Sequence, residues 1–325
     1  MKVLIIKISS MGDILHTLPA LTDAMIHYPN IQFDWIIEEN FSQIPRWHSS
    51  VNRIIPITIR RWKKNFLSKL AWNQRKFFCD QLQHYKYDAV IDAQGLLKSV
   101  ILITRLSNGV KHGYNWKSVR EPLASLFYDH RYNINKQLHA VERIRNLFAD
   151  SLHYKKPIIT GDYGIMKYFS SLELVNEIRP YIIFFYATTS DKKHWPEFHW
   201  RKLIMALRDS GLTIKLPWIT DIENQQAIRL ASGFNHVKVL PKLSLNEIAQ
   251  QIISAKAVVS VDTGLSHLTA AFAKPNITLY GPTDPKLIGC YGKEQKAIIS
   301  PNGNMAIIKP DEIYQHLILK LDNKQ

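Results

Sequence analysis

Cysteine is scarce. Cys79 and Cys290 are the only two in 325 residues, far apart and in no metal-type spacing. That argues against a disulfide framework and makes a reducing compartment, the cytoplasm, the expected location. No apolar run approaches the roughly 20 residues that a membrane-crossing helix needs. The opening M-K-V-L-I-I-K-I-S-S starts like a signal peptide, but Lys7 interrupts a short apolar run and no small-residue cleavage site follows. It reads as a buried strand. Neither a G-x-x-x-x-G-K loop nor a G-x-G-x-x-G turn is present, which disfavours NTP hydrolysis and dinucleotide chemistry. Fixed-period repeats and low-complexity tracts are missing as well.

The most informative absence is of acid. Between Asn40 and Cys79 there is no Asp or Glu, while Arg46, Arg53, Arg60, Arg61, Lys63, Lys64, Lys69, Arg75 and Lys76 all fall there. Residues 51–150 hold 18 Lys/Arg against 7 Asp/Glu, so most of the formal +15 belongs to one part of the chain. Like charges repel unless a partner neutralises them, so the segment points to nucleic acid, anionic lipid or a phosphorylated ligand. In 60–72, Trp62, Phe66 and Leu70 recur every four residues between cations. Packing on a sheet is the plain reading of that stripe, and lying in a membrane interface is its competitor.

What is present describes a globular chain, 46% hydrophobic and 21% charged, long enough for two domains. Strand-like runs at 3–8, 33–37, 54–57 and 89–92 alternate with helix-like runs at 14–28, 67–83, 96–106 and 139–151. The second half repeats this, with strands at 181–186, 212–216, 236–240, 257–261 and 276–280 and a helix opening at Pro196. Alternation of this kind implies an α/β fold with two Rossmann-like lobes of about five parallel strands each. The polar stretch 155–164 reads as the approach to a hinge. A last helix over 311–325 is expected to pack back towards the first domain.

Three strand ends carry polar loops. At 7–19, Gly12 allows a turn and Asp13 falls at a helix N-terminus, either capping it or acting as a general base. At 187–196, Thr188 and Thr189 offer donors, and Lys192 or Lys193 a point charge for a diphosphate. At 257–271, a β-branched run stops at Asp262-Thr263-Gly264 and a helix begins near Leu265, with His267 one turn on. Exposed amides at such a helix start suit a phosphate, although Asp262 as a simple cap explains the same residues. The loop 280–285, Y-G-P-T-D-P, lies at a further strand end.

Taken together, K-I-S-S-M-G-D-I-L-H-T-L-P (7–19), Y-D-A-V-I-D-A-Q-G-L-L-K-S (87–99), V-K-H-G (110–113), H-W-P-E (194–197), S-V-D-T-G-L-S-H-L (260–268) and Y-G-P-T-D-P resemble the lipopolysaccharide heptosyltransferase I branch of glycosyltransferase family 9. The resemblance runs over nearly the whole chain. It implies a GT-B fold with an acceptor domain at 1–165 and a donor domain at 166–310, their parallel sheets facing across a cleft. It implies transfer of heptose from ADP-L-glycero-D-manno-heptose to the inner Kdo of Kdo2-lipid A, with inversion and without cofactor or metal. The implied setting is the anionic cytoplasmic face of the inner membrane; a monomer, with no nucleic-acid partner, is expected. Residue by residue, Asp13 resembles the general base. Thr188, Thr189, Lys193, Glu223, Leu243, Asp262, Thr263, Gly264 and His267 resemble the donor site, with Leu243 standing where Met is frequent. Lys7, Arg60, Arg61, Lys64, Lys98 and Arg120 resemble cations around the acceptor's phosphates and carboxylates. Lys63 stands where relatives can carry Arg, which puts bidentate binding there in doubt. An already heptosylated acceptor is the near alternative, and a nucleic-acid-binding module the remote one.

Overall fold

The computed structural model describes residues 1–58, 76, 78–80, 82–170, 177 and 179–322. Two compact units divide between Tyr168 and Phe169. Among the described residues each unit holds one six-stranded, all-parallel sheet. The first sheet comprises β1 (Lys2–Ile6), β2 (Gln32–Glu38), β3 (Val51–Ile57), β4 (Ala89–Asp92), β5 (Lys111–Tyr114) and β6 (His130–Tyr132), in the order β3-β2-β1-β4-β5-β6. The second comprises β7 (Tyr181–Phe185), β8 (Thr213–Leu216), β9 (Val237–Val239), β10 (Ala257–Val261), β11 (Asn276–Tyr280) and β12 (Gln295–Ile299). Its order, β9-β8-β7-β10-β11-β12, repeats that of the first unit strand for strand.

The central strands are those with unbroken apolar runs. V-L-I-I of β1 and A-V-V-S-V of β10 are buried throughout, as helices cover both faces of a parallel sheet. Six strands per unit exceed the four runs read in the first half and the five in the second. The overlooked ones have mixed polarity: K-H-G-Y, H-R-Y and the edge strand Q-K-A-I-I. Gly113 in β5 is needed for packing, since a Cβ there would lie 2.3 Å from the Tyr128 ring.

Two helical expectations are corrected. The run 14–28 divides into Met11–Leu15 and Leu18–His27, because Pro19 lacks the amide needed to continue a helix and suits the first turn of a new one. The C-terminal helix, Pro310–Asp322, was expected against the first domain. Its Ile313 and Leu317 are instead buried in the second unit's core, with the helix on Glu197–Ala206 and on β10 and β11.

The stretch 155–164 is held to the first unit. Arg145, buried on helix Ala140–Leu152, donates to both Asp23 oxygens at 2.6 and 3.2 Å and to the Pro157 carbonyl at 3.1 Å. Lys156 pairs with Glu142. Gly164, at φ +68, leaves no room for a side chain beside Thr22 and His48. His48 itself is buried between the Thr22 hydroxyl at 3.0 Å and the Ser50 hydroxyl at 2.8 Å.

Burial lowers the His48 pKa to about 4 against a weaker opposing pull from Asp162. Burial, helped by His130 and His153, lowers that of His112 to about 4 as well. Both rings stay neutral in the folded chain down to about 4, whereas an unfolded chain takes up the protons near 6.5. The unfolded state therefore binds more protons in that window, and stability falls as pH drops from about 6.5 to about 4. The expected loss is on the order of a few kcal/mol. Denaturant melts at pH 7 and pH 5 check this, and the His48→Gln, His112→Gln double variant should flatten the difference.

Candidate active site

A sheet ordered 3-2-1-4-5-6 leaves its crevice beyond the C-terminal ends of its first and fourth strands, where the connections diverge to opposite faces. In the first unit these are β1 and β4. The chain leaving β1 turns into helix Met11–Leu15, with Ser10 at its cap and Asp13 in the first turn. Asp13 Oδ2 accepts from the Ser10 amide at 2.9 Å and from the Ser10 hydroxyl at 3.1 Å. This is the capping role, and it occupies one oxygen.

The other oxygen has a different neighbour. Lys7 Nζ lies 3.5 Å from Asp13 Oδ1, with the lysine side chain 8% exposed and the aspartate 38%. Lys7 also donates to the Ala93 carbonyl at 3.0 Å. Burial raises the Asp13 pKa. The Lys7 charge and the Ser10 amide, followed by His16 and the Ser10 hydroxyl, outweigh it and bring the carboxyl down to about 2. Asp13 is thus an ionised, half-exposed carboxylate. The resemblance puts Lys7 among the acceptor cations. Its ammonium turns inward, onto Asp13 and the β4 loop.

The β1 and β4 loops are tied by a residue to which the sequence reading gave no role. Gln94 Oε1 accepts from the Ile8 amide at 2.8 Å and the Ser9 amide at 3.3 Å. Beneath it, buried Asp92 accepts from the Gln94 and Gly95 amides at 2.9 and 3.0 Å. It also accepts from the Thr104 and Tyr128 hydroxyls at 2.9 and 3.1 Å. Burial pushes the Asp92 pKa up, and these bonds only partly counter it. The available signal was two polar residues, Asp92 and Gln94, closing the apolar run A-V-I-D-A-Q. Lys98 and Arg120 are exposed on adjoining turns, joined by the Leu97 amide to Glu121 Oε2 at 2.6 Å and the Glu121 amide to the Gly95 carbonyl at 3.2 Å. Arg60, Arg61, Lys63 and Lys64, with the stripe Trp62, Phe66 and Leu70, lie outside the described residues.

In the second unit the corresponding strands are β7 and β10. Lys193, closing the turn Asp191–Lys193, donates to Asp262 Oδ2 at 2.6 Å. The Thr188 hydroxyl donates to the Asp262 carbonyl at 3.3 Å, and His267 Nε2 stands 3.9 Å from Asp262 Oδ1. Thr263, not Asp262, is the N-cap of helix Gly264–Ala271. The simple-cap reading of Asp262 therefore fails, and its carboxylate anchors Lys193 at the helix start. Ammonium and helix N-terminus both favour a diphosphate there. Thr189 is exposed on the same loop. Gly281 of Y-G-P-T-D-P packs against that loop, its missing Cβ leaving room for the Lys192 carbonyl.

Glu223 lies in the first turn of the helix after β8, and Leu243 on the loop after β9. Glu223 Oε2 accepts from the Ile219 amide at 2.7 Å and the Thr220 amide at 3.3 Å, closing a capping box on helix Asp221–Ala231. Trp218 Nε1 donates to the Leu240 carbonyl at 2.7 Å, which brings the half-buried Leu243 loop alongside. Behind the helix Gly264–Ala271, burial raises the Cys290 thiol pKa. The charge and hydrogen bonding of His267, with Ser266 and Thr278, win and lower it.

The model of glycosyltransferase family 9 (heptosyltransferase) matches residues 75–318. The chain belongs to that family. This family 9 chain is 56% identical to lipopolysaccharide heptosyltransferase 1 of Escherichia coli K12, over 98% of its own length and 99% of the relative's. It is 46% identical to the heptosyltransferase 1 of Pseudomonas aeruginosa, over 91% and 82% of the two chains. The solved structure of E. coli heptosyltransferase WaaC with ADP matches it at a TM-score of 0.95 and 55% identity, covering 98% of this chain and 100% of that one. The two Rossmann-like units are those of a GT-B glycosyltransferase.

The Lys7–Asp13 contact carries a testable consequence for this transferase. Lys7→Gln removes the largest influence holding the carboxyl ionised, so the Asp13 pKa should rise through the ordinary carboxylate range. The pH profile of kcat should gain an acid limb at higher pH than that of the parent enzyme. An unchanged profile would show that Lys7 does not tune Asp13.

Proposed function

We propose that this chain transfers L-glycero-D-manno-heptose from ADP-heptose to the inner Kdo of Kdo2-lipid A, inverting the anomeric centre. The supporting observation is Asp13, a half-exposed carboxylate kept ionised at the β1/β4 crevice of a unit rich in cations. The relatives' name, lipopolysaccharide heptosyltransferase, supports a heptosyl group and a lipopolysaccharide acceptor, and the ADP of the WaaC structure supports the donor. In the reaction the bond from the anomeric carbon to the ADP oxygen breaks, and a bond to the acceptor oxygen forms. The acceptor's proton passes to Asp13.

A carboxylate with a pKa of about 2 is a weak base. It suffices when the leaving group departs early and the oxocarbenium-like centre acidifies the attacking hydroxyl, so that proton removal comes late. Early departure needs charge stabilisation on the diphosphate, and Lys193 with the amides of helix Gly264–Ala271 offers it. On binding, the diphosphate competes with Asp262 for the Lys193 ammonium. Lys98 and Arg120 meet acidic groups of the acceptor. Among the described residues no helix is long and apolar enough to cross a membrane. We place the enzyme at the anionic cytoplasmic face of the inner membrane, acting as a monomer.

Incubating the pure protein with ADP-heptose and Kdo2-lipid A should add one heptose, read by mass spectrometry. An already heptosylated acceptor should give none. Asp13→Asn should lower turnover by about 10³-fold, in the range general-base removal costs, while ADP affinity stays within about twofold because Asp13 lies outside the donor unit. Full turnover by that variant would remove Asp13 from the mechanism.

A further inference from the structure

Beside the β4 loop, helix Leu97–Leu102 and the 3-10 segment Pro122–Phe127 pack against each other. Val100, Ala124 and Ser125 face inward. The outward residues are large and apolar: Ile101 is 47% exposed, Leu102 38%, Leu123 50% and Leu126 57%, with Trp116 at 51% on the preceding loop. Single exposed apolar residues are ordinary on a surface. Four on two adjoining elements form a patch, and patches of that kind mark contact surfaces.

The charge around the patch has one sign. Lys98, Arg105, Lys117, Arg120 and Arg131 are all exposed. Arg131 donates to the Tyr128 carbonyl at 3.0 Å and the Leu126 carbonyl at 3.4 Å, which holds its guanidinium beside the apolar residues. From 97 to 131 there are six Lys/Arg and two carboxylates, Glu121 and Asp129. Both carboxylates accept from local amides, Leu97 at 2.6 Å and Lys111 at 2.8 Å. An apolar centre inside a cationic rim fits an interface whose outer layer is phosphate and whose depth is hydrocarbon. A nucleic acid would match the rim but leave the aliphatic residues unused, as only Trp116 could stack on a base.

We propose that this face docks on an anionic lipid bilayer. Leu123, Leu126, Ile101 and Leu102 enter the headgroup–acyl boundary, and the cations bind lipid phosphates. The inference deepens the proposed function and rests on its lipid-borne acceptor. Lys98 and Arg120 stand on the turns that carry the patch, so docking would deliver a membrane-embedded headgroup to them. No residue of 60–72 is needed for it.

The test uses the full chain with vesicles of phosphatidylethanolamine and phosphatidylglycerol, and with phosphatidylcholine vesicles for comparison. Parent protein should sediment with the anionic vesicles and far less with the neutral ones. Leu123→Ser with Leu126→Ser should lower partitioning about tenfold, as lost apolar burial predicts, with the melting temperature unchanged. Lys117→Glu with Arg131→Glu should lower it similarly and reduce its salt dependence. With a water-soluble, deacylated acceptor the leucine variant should turn over at the parent rate, while its KM for vesicle-embedded acceptor rises. Partitioning equal to the parent's in both variants would overturn the proposal. So would a shift in oligomeric state, or loss of oligonucleotide binding, with vesicle binding intact. Sedimentation needs neither substrate, so failure to transfer heptose would sink the proposed reaction and leave this surface standing.

Discussion

A lysine buried beneath a half-exposed carboxylate is the contact around which the first unit's crevice is built. An ammonium taken out of water costs free energy unless anions and carbonyls surround it, and Lys7 has both in Asp13 and Ala93. The arrangement fixes three things together. It keeps Asp13 ionised, it joins the ends of β1 and β4, and it aims the carboxylate by spending one oxygen on Ser10 and leaving the other beside the lysine. Gln94 then closes the loop by accepting two amides that would otherwise lack partners.

The second unit solves a related problem with the signs exchanged. There the aspartate is buried and the lysine more exposed, Asp262 at 6% and Lys193 at 28%. A buried anion at the start of a helix holds a cation where a diphosphate can reach it. The same strand order in both units puts the two lysine–aspartate pairs at equivalent points, beyond the first and fourth strands. In the proposed reaction one unit supplies a base kept charged by a lysine, and the other a lysine kept in place by an acid. For an inverting transfer these are the two complementary requirements, proton acceptance and leaving-group stabilisation.

Charge extends this division across the surface. The unit that carries Asp13 also carries most of the chain's excess cations, and part of that excess rims an apolar face. Long-range attraction to an anionic layer and short-range burial of leucine act over different distances, so they reinforce each other without competing for the same residues. The clamp of Arg145 on Asp23 and Pro157 shows where the first unit ends in physical terms. A segment that looked like a polar connection is held by a buried bidentate pair.

Strand and helix alternation, the glycine and acid after β1 and β10, and the one-signed segment at 41–78 were all legible from the residues in order. They depend on spacing of two or about four residues and on local backbone geometry, which a linear string records. The β10 strand and the helix start after Thr263 were readable for that reason, whereas β5, β6 and β12 were not, since their side chains follow tertiary neighbours such as Tyr128 instead of a period. What each site residue touches lay beyond the string. Lys7 meets Ala93, Ile8 meets Gln94 and Lys193 meets Asp262 across 86, 86 and 69 positions of chain. Only closing the sheets brings such pairs within 3 Å, and burial then sets their charge. Tertiary structure alone decided that Lys7 lies against Asp13, that Asp262 anchors a cation, and that Leu123 and Leu126 face outward.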